Sequence, residues 1–408
     1  MAERRRMAPP PPDPLDLILD KQFVMTDAGR IDRIRDLYTT FNPKVDLEAL
    51  KRGGYINVVD KMMEPITMSL NDHDPKVIAY WAKQGMVKEF HGELTPMSWS
   101  EYEANTGYHW RDTGNQAPQN HFKRWNSFVP VSAFAPENKD RRYPVVVVLH
   151  GGFNPISVID GWGWVQEAAR REWIVIVPSI ELDDIIEEIL EEAKKLYPVD
   201  ESRIYACGFS YGGFMSNLLG NKRPDIFAAV APCGTHLDNA YCEAAMGPEP
   251  QLPFDGNPRA IAMGTYMPII CIAGALDGFR FPFYDFKGFF GHGGPAYLIE
   301  GLNSWNRVNK AKELTLEEVM ALKVREDISI EEKNMGIPLA ADCRETVERD
   351  GIVSHIASFR SEDGIVRVKL MCTMNMPHWP TPEMSRQAFE FFSHFSRNPE
   401  TKESVYHE

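Results

Sequence analysis

Gly208-Phe209-Ser210-Tyr211-Gly212 has the spacing G-x-S-x-G. A serine set between small residues can stand at the tip of a very tight strand-to-helix turn, where its hydroxyl is placed to attack a carbonyl carbon. Glycines at the flanks let the backbone make that turn without side-chain clash. The string alone is weak evidence, because with glycine at about 7% of residues a random chain of this length carries one about one time in ten. Its setting is stronger. The apolar run 204–207 precedes it, and Gly213-Phe214-Met215 opens an apolar helical stretch after it. The bland alternative, a glycine-rich turn with an incidental serine, does not require that strand–turn–helix context.

Attack by Ser210 leaves negative charge on the substrate's carbonyl oxygen, and backbone amides must receive it. One is expected from Tyr211, the residue after the nucleophile. The other is expected from the loop His150-Gly151-Gly152 that closes the run 143–149. We assign Gly152, with Phe153 as the close alternative; each such donor is worth roughly 3–4 kcal/mol. His150 is expected to shape the turn. The general base should be a late histidine, and the candidates after Ser210 are His236, His292, His355, His378, His394 and His407. His378 has the position, a few residues past the run 366–371 and just before a helical stretch from Pro382. His394 falls inside that last helix, and His236 is a candidate for lining a pocket. The orienting acid should follow a strand between nucleophile and base. Asp277 does, after the run 269–273; Asp285 and Asp342 are weaker rivals, and Asp363 precedes the last run instead of following it. The order Ser210, Asp277, His378 is that of an α/β-hydrolase fold. A histidine base predicts activity that rises as His378 loses its proton, near the ordinary histidine pKa of about 6.5. Trp379, next to the base, is a candidate for bordering the substrate pocket together with Phe153, or alternatively a wedge of the loop against the core.

The elements around these residues fit that reading. The runs 143–149, 173–177, 204–207, 227–231, 269–273 and 366–371 are apolar on both faces, as strands of a parallel sheet covered by helices are. Helical stretches at 164–171, 183–196, 213–219 and 382–395 alternate with them, which predicts a doubly wound α/β domain. We place it at 121–408. Residues 1–14 read as a disordered proline-rich leader. Residues 15–120 read as mostly helical, from Ile31, Ile34, Leu37 and Tyr38 and in part from Val77, Ile78, Trp81 and Met86. This extension is expected to pack on the catalytic domain, cover its active site or mediate homo-oligomerisation. An insertion at about 278–364 separates Asp277 from the last run. It opens with Phe279, Phe281, Phe283, Tyr284, Phe286, Phe289 and Phe290, which suit either an apolar substrate wall or the insertion's own core, and it reads as helix near 314–324.

Bulk properties exclude several classes. The net charge of −14 and the absence of a basic patch beyond Arg4-Arg5-Arg6 argue against a nucleic-acid partner. Seven acids between Glu181 and Glu192 read as a solvated helix face. No run of about 18 apolar residues predicts a membrane span. Pro9 to Pro12 follow the basic N-terminal residues where a secretion signal would have its apolar stretch, so the simplest expected location is the cytoplasm. The six cysteines show no metal spacing and read as reduced structural residues.

The elbow 208–213, Leu149-His150-Gly151-Gly152 and Pro377-His378-Trp379-Pro380 resemble the polyhydroxybutyrate depolymerase-like and feruloyl esterase-like branch of the α/β-hydrolases, over about residues 128–395. The resemblance implies Ser210, Asp277 and His378 as the triad, no metal or organic cofactor, and cleavage of a carboxylic ester. The expected lack of a secretion signal, the N-terminal helical region and the long aromatic insertion depart from the pattern, and point to a soluble small ester over an insoluble polymer. Ser210-Tyr211-Gly212-Gly213 also suits the prolyl oligopeptidase group. Those enzymes carry an upstream β-propeller, for which about 120 mostly helical residues do not provide the strands. A non-catalytic hydrolase-fold binding protein is the remaining alternative, and it has no need to keep a candidate for every role.

Overall fold

A computed structural model of the 408-residue chain describes residues 87–90, 93–96, 108–112, 125–151, 163–178, 183–235, 237, 258–274, 295–315, 340–349, 352–373, 380 and 382–408, with a few positions between 317 and 327. The strands are β1 (Val87–Phe90), β2 (Glu93–Pro96), β3 (Tyr108–Asp112), β4 (Trp125–Pro130), β5 (Tyr143–Leu149), β6 (Ile174–Pro178), β7 (Val199–Phe209), β8 (Ala229–Cys233), β9 (Ile269–Gly274), β10 (Cys343–Arg349), β11 (Ile352–Arg360), β12 (Val366–Thr373), β13 (Phe395–Arg397) and β14 (Ser404–Tyr406). The helices are α1 (Trp164–Arg171), α2 (Asp183–Leu196), α3 (Tyr211–Lys222), α4 (Pro258–Met263), α5 (Pro295–Val308) and α6 (Pro382–Ser393).

Ten strands form one sheet in the order β10-β11-β12-β9-β8-β7-β5-β6-β4-β3. The six from β12 to β6 run parallel, and the two strands at each end are antiparallel to their inner neighbours. Every residue of β5, β6, β8 and β9 is buried. Side chains alternate between two cores. Val145, Val147, Leu149, Ile204, Ala206 and Val230 join one, and Val146, Val148, Tyr205, Cys207 and Phe209 join the other. Helices α2, α3, α4 and α5 cover the first face, while α1 and α6 cover the second. That two-sided cover is why these runs are apolar throughout instead of alternating. The chain leaves β5 toward β6 through α1, and leaves β7 in the opposite direction toward β8 through α3. The adjacent ends of β5 and β7 are therefore the topological switch point, the usual ligand crevice of an open α/β sheet.

Two boundaries differ from the expectation. The region 15–120 reads as mostly helical, but its described residues are extended. β1 and β2 form a small hairpin, and β3 pairs with β4 at the edge of the main sheet, Tyr108↔Pro130 through Asp112↔Asn126. The sheet thus begins at Tyr108, before residue 121. The helical patterns at 31–38 and 77–86, and the leader 1–14, lie outside the described residues. The segment 278–364 reads as an insertion, yet α5 contributes Leu302, Trp305 and Val308 to the first core, and β10 and β11 lengthen the sheet beyond β12. β10 is hard to read because an edge strand need not be apolar: Cys343 to Thr346 and Glu348 are all exposed. Of the helix expected at 314–324, Leu314 and Thr315 are described and not helical, while Glu317, Glu318 and Ala321 are helical.

The second core is fastened by aromatic stacking. Tyr205 lies between Trp173 and Phe392, with ring centroids 4.9 and 4.8 Å away, and its hydroxyl donates to the Phe395 carbonyl at 2.6 Å. This locks α6 against β7. The five described cysteines are free, and burial pushes the Cys207 thiol well above its ordinary pKa, as suits an inert structural residue. Among the described residues no helix is long and apolar enough to cross a membrane.

Candidate active site

Ser210 stands between the end of β7 and the first residue of α3, with φ +54° and ψ −112°. An L-residue pays for that conformation, roughly 1–3 kcal/mol, and such strain clusters at functional sites. The turn is held from both sides. The Ser210 amide donates to the Cys233 carbonyl at the end of β8 (2.9 Å), and the Gly212 amide donates to the His150 carbonyl just past β5 (3.1 Å). The Ser210 carbonyl accepts from Phe214 and opens α3. Its side chain does not cap the helix.

The glycines of the elbow are explained by close approach. A Cβ on Gly208 would lie 2.5 Å from the Gly212 oxygen and 2.7 Å from Leu149 Cβ. One on Gly212 would run into the Leu149 carbonyl, and one on Gly213 would come within 2.5 Å of the Cys233 oxygen. The backbone of β5's exit is thus packed directly on the first turn of α3. Tyr211 occupies the first position of that helix, so its amide sits at the positive end of the helix dipole. His150 Nδ1 bonds the Gly151 carbonyl at 2.8 Å, in keeping with a role in shaping the loop.

Gly152, Phe153, Asp277, His378, Trp379 and His236 lie outside the described residues, as do the aromatics 279–290. The topology nonetheless constrains the chain that carries the key ones. β7, β9 and β12 are parallel members of one sheet, so Phe209, Gly274 and Thr373 all lie at the same end of it. Asp277 is three residues past β9 and His378 five past β12. The described rivals are engaged elsewhere. Asp363 precedes β12, at the opposite end, where it binds Arg367 at 2.7 and 2.8 Å, and that guanidinium holds its carboxyl below the usual range. Asp342 accepts from the Arg360 amide at 2.7 Å. His355 meets Thr346 Oγ1 across β11 and β10 (2.9 Å), and His394 bonds the His407 carbonyl and stacks on Tyr406.

One positioning residue is not evident from the motif. Asn217, fully buried in α3 two turns beyond Ser210, accepts from Trp305 Nε1 of α5 (3.0 Å) and donates to the Leu237 carbonyl after β8 (3.1 Å). An amide residue at +7 from Ser210, between Phe214-Met215 and Leu218-Leu219, was the available signal. Asn217→Leu leaves two buried groups unpaired, at about 1–3 kcal/mol each. We expect a clear fall in the thermal midpoint; a midpoint within 1 °C of wild type would show the network to be dispensable.

The family model that matches this chain covers the serine elbow. The Prolyl oligopeptidase family matches residues 169–246, which hold β6, α2, β7, Ser210, α3 and β8. Poly(3-hydroxyalkanoate) depolymerase C of Paucimonas lemoignei is 25% identical over 135 residues, covering 26% of this chain and 33% of the relative. Feruloyl esterase B of Piromyces equi is 33% identical over 115 residues, covering 26% of this chain and 21% of the relative. The chain therefore spans a third or less of the length of either. Among solved structures, acetyl xylan esterase from Aspergillus awamori aligns with a TM-score of 0.42 at 12% identity, over 70% of this chain and 98% of that one. The strand order with its switch point between β5 and β7, and a serine elbow at the end of β7, give this chain the α/β-hydrolase fold.

Proposed function

We propose that the protein is a serine esterase that hydrolyses a soluble, small carboxylic ester through an acyl-enzyme. The observation that carries this is Ser210 itself. It is held at φ +54° at the switch point, with its hydroxyl not spent on capping and with the loop after β5 tied against the next turn. In this reading His378 removes the Ser210 proton as the oxygen attacks the ester carbonyl, and Asp277 orients the imidazole and stabilises its charged form. The Tyr211 and Gly152 amides receive the oxyanion. The alcohol leaves with the proton from His378, and water activated by the same histidine then releases the acid. The names of the matched relatives, depolymerase and feruloyl esterase, support an ester over an amide. A phenolic acyl group of the feruloyl type and a short aliphatic one are the two substrate classes.

The prolyl oligopeptidase match over 169–246 supports a second reading, cleavage of a peptide bond. A panel separates them: p-nitrophenyl acetate and butyrate, methyl ferulate and an aminoacyl p-nitroanilide, each with wild type and Ser210→Ala. Ester turnover absent from the variant is the expected result, and the methyl ferulate rate reports whether an aromatic acid is accepted. Dominant anilide turnover would transfer the case to a peptidase. No turnover with any substrate, and no labelling by a fluorophosphonate, would point to a binding protein.

A further inference from the structure

Strand β10 closes one end of the ten-stranded sheet, and among the described residues nothing pairs with its outer side. Its inner side pairs with β11 without a bulge, from Cys343↔Ser358 to Arg349↔Ile352. Only two residues separate Arg349 from Ile352, so this is a two-residue hairpin whose flanking residues face each other as a hydrogen-bonded pair. Alternation back along the strand aims the N–H and C=O of Arg349, Val347, Glu345 and Cys343 at β11. Those of Glu348, Thr346 and Arg344 point outward.

Such an edge is a template for another strand, and proteins usually block it with proline, a bulge, charged side chains (lysine above all) or a covering helix or loop. β10 has no proline, lysine or bulge, and four of its seven residues are charged. Its charges are of both signs: Arg344, Glu345, Glu348 and Arg349. We propose that β10 is the interface of a two-fold symmetric homodimer, in which two copies of the strand pair antiparallel about Thr346 and join the two sheets into one. In this register Arg344 of each protomer lies opposite Glu348 of its partner, so the ion pair forms twice. Thr346 meets its own copy, and Glu345 lies opposite Val347. Every outward N–H and C=O of the strand finds a partner within the strand. Centring on Val347 would pair Arg344 with a residue past the end of β10, and centring on Glu345 would set that carboxylate against its own copy. Arg344, Thr346 and Glu348 are all exposed in the single chain.

Analytical ultracentrifugation of the full chain tests this. Wild type is expected to sediment at micromolar concentration with twice the 46.4 kDa chain mass. Arg344→Glu and Glu348→Arg are each expected to weaken association about tenfold by setting like charges opposite each other twice, and the double variant to restore it. Thr346→Pro removes an outward N–H and an exposed side-chain bond to His355, but no bond of the β10–β11 ladder. It is expected to give a monomer with unchanged ester turnover. A wild-type chain that stays monomeric at 100 µM would overturn the proposal. So would a dimer indifferent to Thr346→Pro, or a double charge swap that fails to restore what the single variants lose.

Discussion

Ser210→Ala is expected to lower kcat on its best ester by about 10⁴- to 10⁶-fold while leaving thermal stability nearly unchanged. Ser210→Gly is expected to be equally inactive but more stable. The two variants differ only in the Cβ. Alanine keeps it and so keeps the cost of φ +54°; glycine has none and adopts that conformation freely. Relief of about 1–3 kcal/mol of strain is partly offset by the extra backbone freedom that glycine loses on folding, about 0.5–1 kcal/mol. The net gain expected is about 1 kcal/mol, read from the denaturant midpoint. Retained ester turnover in Ser210→Ala would remove the serine from the chemistry. A glycine variant less stable than the alanine variant would show that the elbow stores no strain.

Gly212→Ala is expected to be the most damaging one-carbon change at the site. The new Cβ would lie 2.5 Å from the Leu149 carbonyl carbon and 2.6 Å from the His150 oxygen, both rigid backbone atoms. Neither can swing aside, so β5's exit or the first turn of α3 must shift, and the Gly212–His150 hydrogen bond of 3.1 Å goes with it. Overpacking of this kind costs about 3 kcal/mol or more. It also parts the Tyr211 amide from the loop that leads to Gly152. A displacement near 1 Å lowers turnover on the order of 10²-fold, so we expect kcat to fall by that much in whatever fraction folds. Gly364→Ala is the control. It sits in the β11–β12 turn at φ +84° with nothing within 4 Å of the added carbon, so it carries backbone strain without a clash. It should lose about 1 kcal/mol and no activity. Thermal melts and ester kinetics on the two variants decide the matter: equal, mild losses would mean that the close approach of β5 to α3 is not what excludes a side chain.

Much of the sheet's interior and the elbow were legible in the sequence because their signals are local. A strand buried on both faces must be apolar throughout, and β5, β6, β8 and β9 are so along their whole length. A serine turned through φ +54° needs small neighbours, and Gly208 and Gly212 announce it. Asp277 and His378 as partners of Ser210 are expectations from chain order, and both stand outside the described residues. Other features depended on tertiary structure. β10 is exposed at Cys343 to Thr346 and at Glu348, so it carries little burial pattern to read, and β3 lies at the edge of the sheet. The two contacts that hold the elbow, to His150 and to Cys233, depend on how β5, β7 and β8 lie side by side. Asn217 reads as an incidental polar residue until α5, 88 positions away, brings the Trp305 indole to it. Periodicity records how one segment meets solvent or core. Which distant segment it meets is set by strand order and register, and that only the folded sheet decides.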